Sequence, residues 1–277
     1  MSDNALKDAI VPVTLSDDQL VLSSVAGSIG TLTLNRPEQR NPLDWRSVKR
    51  LAELQRAFDS NPTVETIVIR GAGGHFSAGG DLKGYLDLYR DAEAFRQFLV
   101  DFHGLLDAME ASPKVHVAAI EGYCVAGGLE LLLACDVVLA AQSAKIGDAH
   151  IGFGQLPGAG GSQRLPRAVG PLRARYLMLT GEVLDAADAE RIGLVSKVIA
   201  DAELDTALDS LLARLSRSSL LGRKGMKHLA HVAATTELGE GLRAELEYVW
   251  RYATTSSDAT EGLVAFSEKR RPRFTGT

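Results

Sequence analysis

Val115-His116-Val117-Ala118-Ala119-Ile120-Glu121-Gly122-Tyr123-Cys124-Val125-Ala126-Gly127-Gly128-Leu129-Glu130-Leu131-Leu132-Leu133-Ala134-Cys135-Asp136-Val137-Val138-Leu139-Ala140 is the stretch on which the reading of the chain turns. Val115 to Ile120 is an apolar, β-branched run between Pro113 and Glu121-Gly122, which predicts a buried strand. Gly122, Gly127 and Gly128 then permit close backbone approaches that side chains resist, and Leu129 to Ala134 continues in good helix formers. The N-terminus of such a helix carries unpaired N–H groups and the positive end of a dipole, a place suited to developing negative charge. Glu130 stands in that first turn, either as a reacting carboxylate or simply as a complement to the dipole.

A second glycine stretch, Gly73-Gly74-His75-Phe76-Ser77-Ala78-Gly79-Gly80-Asp81-Leu82, follows another apolar strand, Thr66 to Ile69. Two strand-to-glycine transitions are able to bring two backbone N–H donors to one point, the geometry that stabilises an oxyanion.

Four blocks, Ser77 to Leu82, Glu121-Gly122-Tyr123 through Gly127-Gly128-Leu129-Glu130, Cys135-Asp136, and Leu156-Pro157-Gly158-Ala159-Gly160-Gly161-Ser162-Gln163-Arg164-Leu165, resemble the crotonase superfamily, typified by enoyl-CoA hydratase. The resemblance runs from about Leu32 to the C-terminus. It implies an α/β fold, a spiral of ββα units followed by a C-terminal helical oligomerisation region. It also implies an acyl-CoA thioester substrate, its carbonyl held by the backbone N–H groups of Gly80 and Gly127. Relatives often carry alanine at the position of Gly80, so Gly80→Ala is expected to be tolerated.

Glu130 aligns with the first acid–base carboxylate of the family, and the second falls seven positions before Pro157, where this chain has His150. Imidazole accepts or donates a proton near neutral pH, so Glu130 and His150 still make an acid–base pair for adding water across a 2,3 double bond. Double-bond isomerisation, C–C hydrolysis of a β-diketone and a non-catalytic acyl-CoA-binding role remain open. His150 also reads, as the lesser alternative, as a structural histidine bonded to a neighbouring carboxylate such as Asp148, the reserve acid. By family position Ala78, Gly80, Asp81, Leu82 and Lys83 contact the adenine end of CoA, largely through main chain. Arg36 and the Lys269-Arg270-Arg271 cluster are the phosphate candidates. Tyr85, Leu86 and Leu88 are candidates for the acyl pocket or for plain core. The family ending at Ser257 to Arg270 implies a trimer or a dimer of trimers, and no cofactor beyond the CoA of the substrate is implied.

At 277 residues and 45% hydrophobic, the chain can bury one substantial core. A net charge of −5 excludes a whole-chain electrostatic match to nucleic acid or an anionic membrane. Cys124 and Cys135 lie in apolar surroundings, which predicts buried reduced thiols rather than a disulfide or metal pair. Met1 to Leu20 lacks the basic start and long apolar run of a signal peptide and the Arg-rich character of a transit sequence, so the expected compartment is the cytoplasm.

Three segments are expected: an extension over 1–18, a spiral core over 19–200 and a helical region over 201–277. Leu20 to Val25 and Ile29 to Leu34 read as a hairpin, and Pro42 and Asp44 as the start of a helix. Thr63 to Arg70 is a strand, and Asp91 caps a helix to Met109. Asp136 to Ala140, Ala144 to Gly147 and Leu194 to Ile199 read as strands. Ser162 to Val169, Leu172 to Leu179 and Ala186 to Arg191 read as short helices. From Asp201 the pattern is helical, over Leu204 to Leu215, Leu220 to Ala234, Leu238 to Ala253 and Ala259 to Arg270.

Overall fold

Val115–Ile120 is a strand buried at all six positions, because parallel neighbours flank it and both of its faces are covered. The computed structural model describes residues 16–277, so most of the expected extension lies outside the described residues. Where it ends, Asp17–Leu20 (α1) is already a short helix. A hairpin follows, Val21–Ala26 (β1) paired antiparallel with Ile29–Leu34 (β2), as the turn at Gly27 requires with its φ of 59°. Asp44 then caps Trp45–Ser60 (α2) by accepting from the Ser47 amide, and Val48, Leu51, Leu54 and Phe58 turn inward at helical spacing.

Thr66–Gly71 (β3) leads through the first glycine turn into Leu82–Leu88 (α3), a helix the sequence pattern did not announce, although its cap, Asp81, is a standard signal. Asp91 caps Ala92–Ala111 (α4), as expected. The organising stretch becomes Val115–Ile120 (β4), Tyr123–Val125 (β5), Gly127–Leu133 (α5) and Val137–Ala141 (β6), followed by Lys145–Gly147 (β7). Gly161–Val169 (α6), Pro171–Thr180 (α7), Val183–Asp185 (β8), Ala186–Arg191 (α8) and Lys197–Ile199 (β9) complete the strand-containing part. Leu204–Leu215 (α9), Leu220–Thr235 (α10), Leu238–Thr255 (α11) and Ser257–Ser267 (α12) follow as helices alone.

The main sheet runs β1-β2-β3-β4-β6-β9, parallel from β2 onward, and a small second sheet runs β5-β7-β8. The two-residue period of β4 divides the interior. Val115, Val117 and Ala119 pack with Val68, Leu139 and Ile199 under Leu204 and Leu208 of α9. Ala118 and Ile120 face the larger core built from α2, α4, α5 and α6.

Three expectations need correction at their ends. The strand expected from Thr63 begins at Thr66, because Thr63 is held in a turn with its amide donating to Asn61 Oδ1. The strand expected from Leu194 begins at Lys197, because Leu194 and Val195 are spent on core packing rather than on the ladder. The helix expected to reach Arg270 stops at Ser267, where Lys269 takes a left-handed φ of 56° and Arg270 pairs back with Glu261 and Glu268. Among the described residues no helix is long and apolar enough to cross a membrane.

Candidate active site

Two glycine turns touch. The first is clamped where the Leu43 amide donates to the Gly79 carbonyl (2.8 Å), the Ala78 amide to the Arg40 carbonyl (2.8 Å) and the Gly79 amide to Ser77 Oγ (3.1 Å). The second is set by Ala126, whose φ of 51° and ψ of −119° turn the chain sharply into α5. A Cβ on Gly79 would lie 2.7 Å from the Ala126 Cβ and 3.3 Å from the Gly127 nitrogen, so the contact requires glycine. Gly80 and Gly127 face one cleft. Among the described residues neither of their amides has a hydrogen-bond acceptor.

Glu130 points into the same cleft from α5 and is 3% exposed. Its Oε1 accepts from the Ala159 amide (2.7 Å) and the Gly161 amide (2.8 Å), so the Pro157 to Gly161 turn serves as a cradle for this carboxylate. A Cβ on Gly161 would sit 3.0 Å from Glu130 Cγ, which ties that glycine to the cradle. Oε2 remains free of those bonds and lies 3.9 Å from His150 Nε2. Burial raises the Glu130 pKa above the usual carboxylate range; the Gly161 hydrogen bond, His150 and the Ala159 hydrogen bond pull it back in part. His150 enters at the start of a 3₁₀ turn, His150–Phe153, and its Nδ1 lies 3.1 Å from Asp148 Oδ1. Both readings of His150 thus coexist: it is bonded to Asp148 and it faces Glu130.

The cleft walls are aromatic, with Tyr85 from α3, Tyr89 at its C-cap, and Phe95, Phe98 and Phe102 from α4. Of the three pocket candidates only Tyr85 lines the cleft; Leu86 is 68% exposed and Leu88 packs against the core. Tyr85 also corrects the expectation for Gly80. A Cβ there would lie 2.2 Å from Tyr85 Oη and 2.5 Å from Cζ, so alanine fits only if this ring moves. Burial, and then the charge of Glu130, push the Tyr85 hydroxyl well above the usual phenol range.

Ala78 and Leu82 line the cleft. Asp81 is occupied in capping α3 and in pairing with Arg36 (3.2 Å), and Arg36 also holds Asp44 (2.8 Å), so the Arg36 charge is already compensated. Lys83 and Lys269 are exposed and do not line the cleft. Cys124 is buried and Cys135 partly so, and burial raises both thiols above their usual range, in line with reduced, unreactive groups.

A spiral of short strands and helices with its cleft where two glycine turns meet is the crotonase fold, and a solved enoyl-CoA hydratase from Bacillus anthracis superimposes with a TM-score of 0.88 at 30% identity, over 94% of this chain and 100% of that one. The sequence is 38% identical over 248 residues to the probable enoyl-CoA hydratase echA8 of Mycobacterium tuberculosis, spanning 89% of this chain and 94% of that protein. It is 33% identical over 247 residues to the crotonyl-CoA hydratase of Syntrophomonas wolfei, with coverage of 89% and 94%. The family model for enoyl-CoA hydratase/isomerase matches residues 24–277. The chain belongs to this family, within the crotonase superfamily, and is an enoyl-CoA hydratase-like enzyme.

Proposed function

We propose that the protein adds water across the 2,3 double bond of an acyl-CoA thioester. One observation carries this reading: Glu130 is held by two amides through one oxygen while the other faces His150, in a cleft shared with the amides of Gly80 and Gly127, which have no acceptor among the described residues. The thioester oxygen accepts from those two amides, and removing one such donor typically costs about 10²–10³ in kcat. Ionised Glu130 takes a proton from water as the hydroxyl bonds to the β carbon, and protonated His150 delivers its Nε2 proton to the α carbon. The proton on Glu130 then passes to His150 Nε2, which restores both groups.

In the same reading the adenine end of CoA lies along the main chain of Ala78, Gly80, Asp81, Leu82 and Lys83. Arg36 braces that turn through Asp44 and Asp81, and Lys83 and Lys269 supply charge for the phosphates. No cofactor is needed beyond the CoA of the substrate. The chain works as a homo-oligomer, a trimer or a dimer of trimers. Leu238, Leu242, Leu246, Val249 and Trp250 support this, since they leave one face of α11 apolar and at least half exposed. Its compartment is the cytoplasm.

A panel of 2-enoyl-CoA thioesters with mass analysis of products tests the reaction. Gain of one water with CoA retained is the expected result. An unchanged mass with a moved double bond would make the enzyme an isomerase, loss of part of the acyl group a hydrolase, and tight binding without product an acyl-CoA binder. Sedimentation velocity tests the assembly, and a monomer would overturn it.

A further inference from the structure

Asp148 is 1% exposed, and among the described residues His150 Nδ1 is the sole hydrogen-bond partner of its side chain, at 3.1 Å from Oδ1; Oδ2 is buried without a partner. His150 reaches from this carboxylate to the cleft, where Nε2 lies 3.9 Å from Glu130 Oε2. Between the two, Ala149 adopts a left-handed φ of 54°, uncommon for a residue with a side chain, at the exit from β7 into the 3₁₀ turn. The ring is thus bracketed by two buried carboxylates, one bonded and one across the cleft.

We propose that Asp148 is the positioning residue of this site: it keeps a hydrogen on Nδ1 of His150, which leaves Nε2 as the one ring atom that exchanges protons with Glu130 and the substrate. A carboxylate only accepts hydrogen bonds, and a neutral imidazole has one donor and one acceptor nitrogen. The opposite tautomer would set the Nδ1 lone pair against Oδ1 and leave Asp148 buried with no hydrogen bond at all. Nδ1–H therefore persists whether His150 is neutral or protonated. The 3.9 Å gap to Glu130 exceeds a direct hydrogen bond and suits a relay through one water or through the substrate hydroxyl.

The proposal rests on the hydration reading for its kinetic consequence but not for its structural one. In the full chain carrying ¹⁵N-labelled histidine, at a pH where the ring is neutral, long-range ¹H–¹⁵N correlations should show His150 protonated on Nδ1; protonation on Nε2 overturns the proposal. This measurement needs neither a variant nor a substrate. Asp148→Asn, whose amide can donate to Nδ1, should move the hydrogen to Nε2 and lower kcat by about 10²-fold or more with KM changed little; a reversed tautomer costs about 10⁴-fold in a Ser-His-Asp triad. In a His150→Gln background the same substitution should have no further effect on kcat. Equal losses in both backgrounds would assign Asp148 a packing role and overturn the proposal. Wild type that hydrates nothing yet shows Nδ1–H would sink the hydration reading alone.

Discussion

The chain sets two histidines beside carboxylates, one fully buried and one partly, and they are built to opposite specifications. His116 on β4 is fully enclosed, and each nitrogen has a partner: Nε2 meets Gln55 Oε1 at 3.0 Å, Nδ1 meets Lys227 Nζ at 3.1 Å, and the backbone amide donates to Asp136 Oδ2 at 2.7 Å. Lys227 completes the cluster from α10 by donating to Asp136 Oδ2 and to the Met109 and Lys114 carbonyls. His150 has one nitrogen bonded and the other turned toward a cleft, next to a carboxylate with a spare oxygen and two amides with no acceptor among the described residues. Complete satisfaction makes the first cluster a rivet between the sheet and the C-terminal helices, whereas the vacancies of the second are places for substrate atoms. The pKa directions agree: burial drives His116 toward its neutral form, and burial also pushes Asp136 up but is outweighed by hydrogen bonding from the His116 amide and the charge of Lys227, which hold Asp136 below its usual range.

The sharpest break in this comparison comes from Glu130→Gln, expected to cut kcat by about 10²–10⁴-fold while acyl-CoA binding survives, as steady-state kinetics and calorimetry would show. Its stability should move the other way. The raised pKa means that ionised Glu130 costs the fold stability once the pH exceeds the ordinary carboxylate value, and costs nothing below it. The variant should therefore gain on wild type in thermal melts at neutral pH and lose that advantage in acid. A gain that grows in acid would contradict the assignment.

Lys227→Met is the converse experiment. It removes the counter-charge of Asp136, which keeps the His116 amide, and takes a donor from His116 Nδ1 and two carbonyls, so urea unfolding should show a loss of about 2–3 kcal/mol, less than for a fully buried pair because Asp136 is partly exposed. The kcat of the folded fraction should not change. Gly80→Ala is expected to lower kcat/KM by up to about 10²-fold through displacement of the Tyr85 ring, with partial recovery on adding Tyr85→Phe, which removes the nearest clashing atom. The smallest effect is expected for Ala126→Gly. Relief of its positive φ, set against the entropy of glycine, should raise unfolding stability by about 1 kcal/mol in the same urea assay.

How much of this was legible in the sequence follows from how local each signal is. Val115–Ile120 and Leu204–Leu215 fall on their expected bounds because their patterns are self-contained, a β-branched run closed by proline and glycine and an uninterrupted amphipathic helix. Tyr123–Val125 and Val183–Asp185 escaped, being three-residue strands whose pairing through β7 is decided by tertiary contact rather than by period. In the site, the family motif marks Glu130 and the glycine turns. Nothing local says that the Ala159 and Gly161 amides, 29 and 31 positions away, hold the Glu130 carboxylate, nor that Tyr85 closes over Gly80. Those facts belong to loop closure, on which the composition of each loop is silent. Asp148 was visible as a neighbour of His150, but its burial and its spare oxygen were not.

Whether the open amides of Gly80 and Gly127 receive the thioester oxygen can be read directly from the vibrational difference spectrum of a 2-enoyl-CoA labelled with ¹³C at the thioester carbonyl, bound to Glu130→Gln. Two converging N–H donors should lower the carbonyl stretch well below its frequency in free solution. A stretch unchanged on binding would mean that the thioester oxygen lies elsewhere and that these two turns are not its site.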